Sequence, residues 1–539
     1  MYRNLLALGV LVAVCFLQAV VPQSASPGGP PTDQTLDTEL TAALQTAGFT
    51  GTIESQFTDP KFPFLGRAVN PQLADLGRNL FFDKILGLNN DNACAGCHSP
   101  LRGMGDTQPI AIGVGNNNIV GPSRTGPRNM RRAPLILNTP LYPTMMWNAR
   151  FVATSNNPFV AKGGFQFPAP EGQGFNTSSI FFGPAPGLNL SNLATAQVFL
   201  PTPQFNEMAG FSVPNTIVAG TIGGPGTKNP DSTAVAIVGD SPFDPTDAHN
   251  VIRNNIVTRL NAAPEYRKLF NYLYPGQVNR KTGGITYVMV ASAIAEFEFS
   301  MVRANAPIDQ FARGQTGALT RKQKQGALLF FTPTASGGAG CITCHSVSGK
   351  SNEMFSDFGF HVSGVPQIVP TYTNTLFDSD ANGTVNQDFA WSEFTLRPAD
   401  KFKFRTAPLR NIALAPYFFH DGIFNNLEDA IAFHLDANKH APLYSPKGRL
   451  PQDLTGPMGP LAPILQLLNN PIAEPGTPPT TPGAPNPLAT PVVLTKEQFH
   501  QLVDFVRNGL LDPRAQPDQL RSLIPATLPS GMTPLVFED

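Results

Sequence analysis

The chain has 539 residues, room for two or three domains with their own cores, and a formal net charge of −1. Only 14% of its residues are charged, with no basic run and no acidic tail, so the composition offers no nucleic-acid-binding surface. Proline (54) and glycine (48) are abundant, yet 41% of residues are hydrophobic, which describes a folded protein with long loops rather than a disordered one.

The N-terminus has the pattern of a secretory signal, assigned to residues 1–25. Arg3 is followed by an almost unbroken apolar run over 5–21, then by Ser24-Ala25-Ser26. The run is near the lower limit for a membrane span, but its length and flanks fit a cleaved signal better. No later segment is apolar enough to cross a bilayer. The mature chain is therefore expected in the periplasm or otherwise exported, without stable membrane insertion.

A first unit, 33–247, contains Gly77-Arg-Asn-Leu80-Phe81-Phe82 and then Cys94-Ala-Gly-Cys97-His98. Two stretches dense in Asn, Gly, Pro, Ser and Thr follow, roughly 151–196 and 209–247, and read as loops. A second unit, 248–470, begins with helical patterns over 251–274 and 285–304. It carries Gly326-Ala-Leu-Leu329-Phe330-Phe331 and then Cys341-Ile-Thr-Cys344-His345. The interval from Gly to first Cys is 17 residues in one unit and 15 in the other, so a duplicated domain is indicated. Each Gly-x-x-Leu-Phe-Phe lead is read as a helix whose Leu and Phe pack on its own site. A proline-rich excursion over 471–493 precedes a short amphipathic helix, 494–511, opened by Thr495 with Glu497 near its start, and a tail to 539. Strands are few, and the fold class is mainly α.

Of five cysteines, Cys15 lies in the signal and the other four form two Cys-x-x-Cys pairs, each followed by His. In that pattern the thiols add to haem vinyl groups and the His reaches the iron. A thioredoxin-type dithiol requires no following His. A zinc ribbon needs closely spaced pairs, and here 243 residues separate Cys97 from Cys341. Two covalently attached haem c groups are the reading, bound through Cys94, Cys97 and His98 and through Cys341, Cys344 and His345. Iron is ligated by His98 and His345.

The chain resembles the bacterial di-haem cytochrome c peroxidase family, which includes the methylamine dehydrogenase maturation enzyme. Besides the two haem motifs, the matching segments are Leu76-Gly-Arg-Asn-Leu-Phe-Phe-Asp83, Arg132-Ala-Pro-Leu-Ile-Leu-Asn138, Trp147-Asn-Ala-Arg150 and Asn206-Glu-Met208. Further on come Ala291-Ser-Ala-Ile-Ala-Glu-Phe297, Phe404-Arg-Thr-Ala-Pro-Leu-Arg-Asn411 and Tyr417-Phe-Phe-His-Asp-Gly422. The resemblance implies two cytochrome-c-like domains packed together, an N-terminal haem that reacts with peroxide and a C-terminal haem that transfers electrons. It gives Glu207 the role of the distal acid that handles protons, with Gln197 and Pro201 in the distal pocket ten and six residues earlier. It gives Trp147 a place between the haems, and His420 a place near the second haem without ligating iron. Taken alone, a single Glu is usually a surface carboxylate and a single Trp usually core.

Three departures from the family pattern stand out. Members that need reductive activation carry a ligating His in a Gly-His-Gly segment, where this chain has Gly113-Val114-Gly115. Its first haem is therefore expected to be open on the distal side, with Met104 and Met208 the first alternative ligands. The family's calcium site between domains uses the Asn of Arg-Asn-Ala-Pro, where this chain reads Arg131-Arg132-Ala133-Pro134. Calcium is thus left open: an Arg can replace the ion with its own charge, or Asn129 can serve if the loop shifts. The second haem's distal ligand, Met or Tyr in the family, falls on His434 in Leu427-Glu-Asp-Ala-Ile-Ala-Phe-His434. Leu427, Ile431 and His434 are expected on one inward helix face.

The resulting expectation is an exported oxidoreductase that reduces hydrogen peroxide with electrons from a small cytochrome c or copper protein. Alternatives are oxidation of an organic or protein substrate, as in the maturation enzyme or the di-haem rubber oxygenases, and a pure electron-transfer dicytochrome. Glu207 speaks against an O₂-binding rubber oxygenase. Two complete motifs predict two haems per chain in a pyridine haemochrome assay, both resistant to acid–acetone extraction; one haem, or an extractable haem, contradicts the reading.

Overall fold

The structure, a computed structural model, describes residues 32–160, 165–167, 180–181, 192–210, 248–278, 283–369, 387–395, 397–471 and 486–539. The signal assigned to 1–25 lies outside the described residues, as do large parts of the stretches 151–196, 209–247 and 471–493.

Both leads are helices, and the reasons are local. In Pro71–Phe82 the Asn70 side chain accepts from the N–H groups of Gln72 and Leu73, and Pro71 stands at the first helical position, where no N–H is needed. In Arg321–Phe331, Thr320 and Gln323 form a reciprocal capping box. Each helix buries its Gly and both Phe residues.

The buried glycine is what lets each lead cross a second helix at backbone contact. A Cβ on Gly77 would lie 1.8 Å from the carbonyl oxygen of Ala293, in the helix Tyr287–Phe299. A Cβ on Gly326 would lie 2.0 Å from that of Gln501, in the helix Lys496–Asp504. The aromatic packing repeats as well. Phe81 lies 6.4 Å from the His98 ring at 48°, and Phe330 lies 6.5 Å from the His345 ring at 46°. Two cores result, one around each haem motif, and the fold is mainly α.

The cores do not follow the expected division at 247/248. The helices Ala248–Ala262 and Pro264–Leu273, divided at Pro264, bury Ile256, Leu260 and Phe270 in the first core, and Tyr287–Phe299 joins them there. The physical reason is that Gly77 requires a partner helix and 285–304 supplies it. The two ends of the chain are exchanged in the opposite sense. The helix Asp33–Ala47 places Leu40 and Leu44 in the second core, whereas Ala515, Leu520 and Leu528 of the tail return to the first. There Val536–Phe537 pairs parallel with Ile119–Val120.

Two smaller expectations also change. Part of the stretch read as loop forms an antiparallel sheet in the order Thr144–Met145, Phe151–Ala153, Phe165–Phe167, Ile180–Phe181. The helix after the proline-rich excursion is opened by Thr495 with Glu497 in its first turn, as expected, but its regular part ends at Asp504 and passes into a wider turn, Phe505–Gly509.

Gly77→Ala and Gly326→Ala are each expected to cost about 3 kcal/mol or more by overpacking. Gly317→Ala, which meets nothing within 4 Å, is expected to stay within about 0.5 kcal/mol. Thermal melts of the haem-loaded protein check this; equal effects at the three positions would contradict the crossing.

Candidate functional site

Each haem motif opens with one tight turn, Cys94–Gly96 and Cys341–Thr343. The N–H of His98 bonds back to the carbonyl of Cys94 at 3.0 Å, and that of His345 to Cys341 at 2.9 Å. This local closure sets both thiols and the imidazole of each motif on one side of the chain. The far side of each ring is then fixed. His98 Nδ1 lies 3.1 Å from the Pro134 carbonyl oxygen, and His345 Nδ1 lies 2.9 Å from that of Phe355. With Nδ1 donating, Nε2 carries the free lone pair, as an iron ligand requires. Burial lowers both imidazoles to about 4, so both are neutral at physiological pH.

The same burial pushes the thiols of Cys94, Cys97 and Cys341 up to about 12, the opposite of a reactive dithiol. The two pairs also belong to different cores and cannot share one metal. The residues therefore fit two c-type haems, one per unit.

His434 belongs to the helix Leu427–Leu435, whose Asn426 side chain accepts from the Asp429 N–H at 2.7 Å. Glu428 and Asp429 suit its positive N-terminal end. The buried face is Leu427, Ala430 and Phe433 rather than the expected Leu427, Ile431 and His434. His434 itself is exposed, at the edge of that packing. Phe419 stacks on its ring at 4.9 Å and 15°, and the His345 ring centre lies 6.4 Å away. Two imidazoles on opposite sides of one metal have ring centres roughly 6–6.5 Å apart, given a metal–nitrogen bond of about 2.0–2.1 Å. His434 Nδ1 is tied to the Ala430 carbonyl at 2.8 Å, which again leaves Nε2 free.

Glu207 lies on the wide turn Phe205–Ala209. The residues just before Cys94 pin that turn: Asn92 Nδ2 donates to the Glu207 carbonyl at 2.9 Å and the Leu88 N–H to that of Met208 at 2.9 Å. Arg124 in turn holds Asn92 at 2.9 Å. Arg150 Nη2 stands 3.6 Å from Glu207 Oε1. After burial and stronger neighbouring charges, the charge of Glu207 is also felt at both Cys94 and Cys97. Gln197 ends the helix Leu193–Gln197, which Asn192 caps, and is half-buried.

Gly113-Val114-Gly115 packs against the same turn. Val114 is buried, its N–H reaches the Asn206 carbonyl at 3.3 Å, and a Cβ on Gly113 would lie 2.1 Å from that oxygen. Of the two methionines, Met208 Sδ lies 3.7 Å from Asn92 Nδ2 and Met104 is buried in the first core.

Trp147 joins the two units. Its indole N–H donates to the Arg132 carbonyl at 2.8 Å, two residues before the Pro134 that anchors His98. Its own carbonyl accepts from the Arg405 N–H at 2.8 Å. Ser356, which follows the Phe355 that anchors His345, donates to the Thr406 carbonyl at 2.8 Å.

Three groups near these sites carried no role in the sequence reading. Arg150 was visible only as the end of Trp147-Asn-Ala-Arg150. Glu298 is buried in the first core beside Thr139 Oγ1 at 3.2 Å, and burial pushes it up to about 7; its only signal was a carboxylate, with Glu296, on an otherwise apolar helix. His361 bonds Asp357 at 2.9 Å close to Cys344, a cluster that belongs to the second haem motif. His420, expected near the second haem, stacks on Phe404 at 3.6 Å, and burial lowers it to about 3.

Fold and site together define a c-type di-haem oxidoreductase. The family model described as di-haem cytochrome c peroxidase matches residues 71–317, so over that segment the chain is similar to that family. It is 24% identical over 424 residues to the cytochrome-c peroxidase IdrP2 of Pseudomonas sp. (strain SCT), covering 76% of this chain and 84% of that one. It is 22% identical to the cytochrome c551 peroxidase of Pseudomonas aeruginosa, covering 68% of this chain and 72% of that one. Among solved structures it is similar to a MauG-like protein associated with microbial copper homeostasis, at 19% identity and a TM-score of 0.49, covering 84% of this chain and 92% of that one.

His434→Ala is expected to convert one low-spin haem to high-spin and to leave the His98 haem unchanged. A near-infrared band of methionine ligation, or a low-spin signal surviving in the variant, would contradict His434 as ligand.

Proposed function

We propose that this protein is an exported peroxidase that reduces hydrogen peroxide to water at the haem bound by Cys94, Cys97 and His98. The observation that carries the reading is the Glu207–Arg150 pair, held by Leu88 and Asn92 against the first haem motif. Buried Val114, which cannot ligate iron, stands at the position of the family's blocking His.

The first haem, when bound, supplies the iron at which the O–O bond is reduced, and the second supplies electrons. The chain's own groups manage the protons. Reduction of one peroxide consumes two electrons and two protons and gives two waters. The oxygen that binds must lose a proton and the oxygen that leaves must gain one. Glu207, as a carboxylate, accepts the first at Oε and returns it to the second. Arg150 keeps a positive charge beside it through both steps. Gln197, at the end of its helix, is assigned to orienting peroxide in the same pocket.

His345 and His434 would hold the iron of the second haem. Imidazole in place of Met stabilises ferric iron, so this pair would give that haem a lower potential than in Met-ligated relatives. Trp147 is assigned as the relay between the haems, supported by its hydrogen bonds to both units. The electron donor is assigned to the small cytochromes c or copper proteins. Export is supported by the N-terminal pattern; among the described residues no helix is long and apolar enough to cross a membrane.

Glu207→Gln is expected to keep both haem spectra and to slow peroxide turnover about 10²-fold or more. Unchanged steady-state turnover in that variant would overturn the proton-transfer role. A wild-type protein inert to peroxide would instead favour an electron-transfer dicytochrome.

A further inference from the structure

We propose that the guanidinium of Arg132 occupies the place of an interdomain cation, so that this chain joins its two haem units without calcium. Arg132 is only 3% exposed and sits between the units. Its Nη2 donates to the Asp106 carbonyl at 2.9 Å on one side, and its Nη1 donates to the Tyr417 carbonyl on the other. Its backbone N–H donates to the His420 carbonyl at 2.7 Å. Carbonyl oxygens from both units thus converge on one buried positive group.

Oxygens are the ligands that calcium takes. Here their lone pairs face N–H donors, and Arg has no acceptor to offer an ion. Three of the nearby carboxylates are already engaged; the fourth, Asp421, keeps a buried Oδ1 without a hydrogen-bond partner, and burial raises its pKa and so disfavours its charged form. Arg131 holds Asp388 through two bonds of 2.5 and 2.6 Å, and Arg128 holds Asp453. Asp106 accepts from the Ala133 and Gln108 N–H groups, at 3.1 and 2.9 Å. Asn129 Oδ1 is buried without a hydrogen-bond partner. It is a single neutral oxygen among three arginines, which is no cage for a dication. The residues present therefore do not fit calcium.

The substitution has a second consequence. The Arg132 carbonyl is the acceptor for the Trp147 indole. The residue that locks the units together therefore also positions the group that lies between the haem motifs. A fixed side chain does this permanently, whereas an ion does it only while bound.

The test uses the purified haem-loaded protein. Elemental analysis is expected to find substoichiometric calcium. Dialysis against EGTA is expected to leave the electronic spectrum and both midpoint potentials unchanged. One calcium per chain, or a spectral change on chelation that calcium reverses, would overturn the proposal. The variant Arg132→Asn returns an oxygen to the position. In EGTA its Tm is expected to fall below that of the wild type and to recover with millimolar calcium, to which the wild type does not respond. A variant indifferent to calcium would overturn the claim that the guanidinium fills a cation's place. If the variant does not load haem, the calcium content and chelator response of the wild type decide the question.

Discussion

Three imidazoles have Nδ1 tied to a backbone carbonyl: His98 to Pro134, His345 to Phe355 and His434 to Ala430. Each bond contributes only about 1 kcal/mol net to stability. Its structural effect is larger, because it fixes the tautomer and the ring plane and so aims Nε2. The surrounding structure serves these bonds. Pro134 lies two residues from a link between the units, where Arg132 docks on Tyr417 and His420, and Phe355 is followed by Ser356, which bonds Thr406 within the second unit.

The packing around these bonds is strongly non-local. The first haem motif precedes its crossing helix by nearly two hundred residues, and the N- and C-terminal segments each belong to the unit more distant in the chain. This exchange makes each core depend on the other's folding. It also leaves the connection between units in the hands of buried polar contacts rather than a hinge. The three arginines 128, 131 and 132 are the clearest case. All three are largely buried, and each reaches an oxygen of the second unit. Removing one member of such a pair leaves an uncompensated charge, so the interface resists piecemeal change.

Much of this was legible from local chemistry. The Cys-x-x-Cys-His motifs, the glycine in each lead, and the Asn cap before Leu427 depend on neighbours within one or two turns of chain. The break at Pro264, which divides the single helical pattern read over 251–274, is a rule of the same kind that was passed over. What the sequence hid was tertiary. Which helix would cross Gly77 depends on a backbone fit between residues 216 positions apart, Gly77 and Ala293. Arg150 gains meaning only once the turn carrying Glu207 is folded beside it. His434 was singled out by resemblance, and the face expected to carry it, Leu427, Ile431 and His434, is not the buried one. An apolar stripe indicates what is packed, and a ligand must instead stand at the edge of the packing.

The account rests on two unlike haem sites, one open beside Glu207 and one closed by His434. The most direct measurement is the EPR spectrum of the oxidised protein before and after one equivalent of hydrogen peroxide. The account predicts one high-spin and one low-spin ferric signal of equal weight, with loss of the high-spin signal on addition of peroxide without prior reduction. Two low-spin signals that ignore peroxide until the protein is reduced would contradict it.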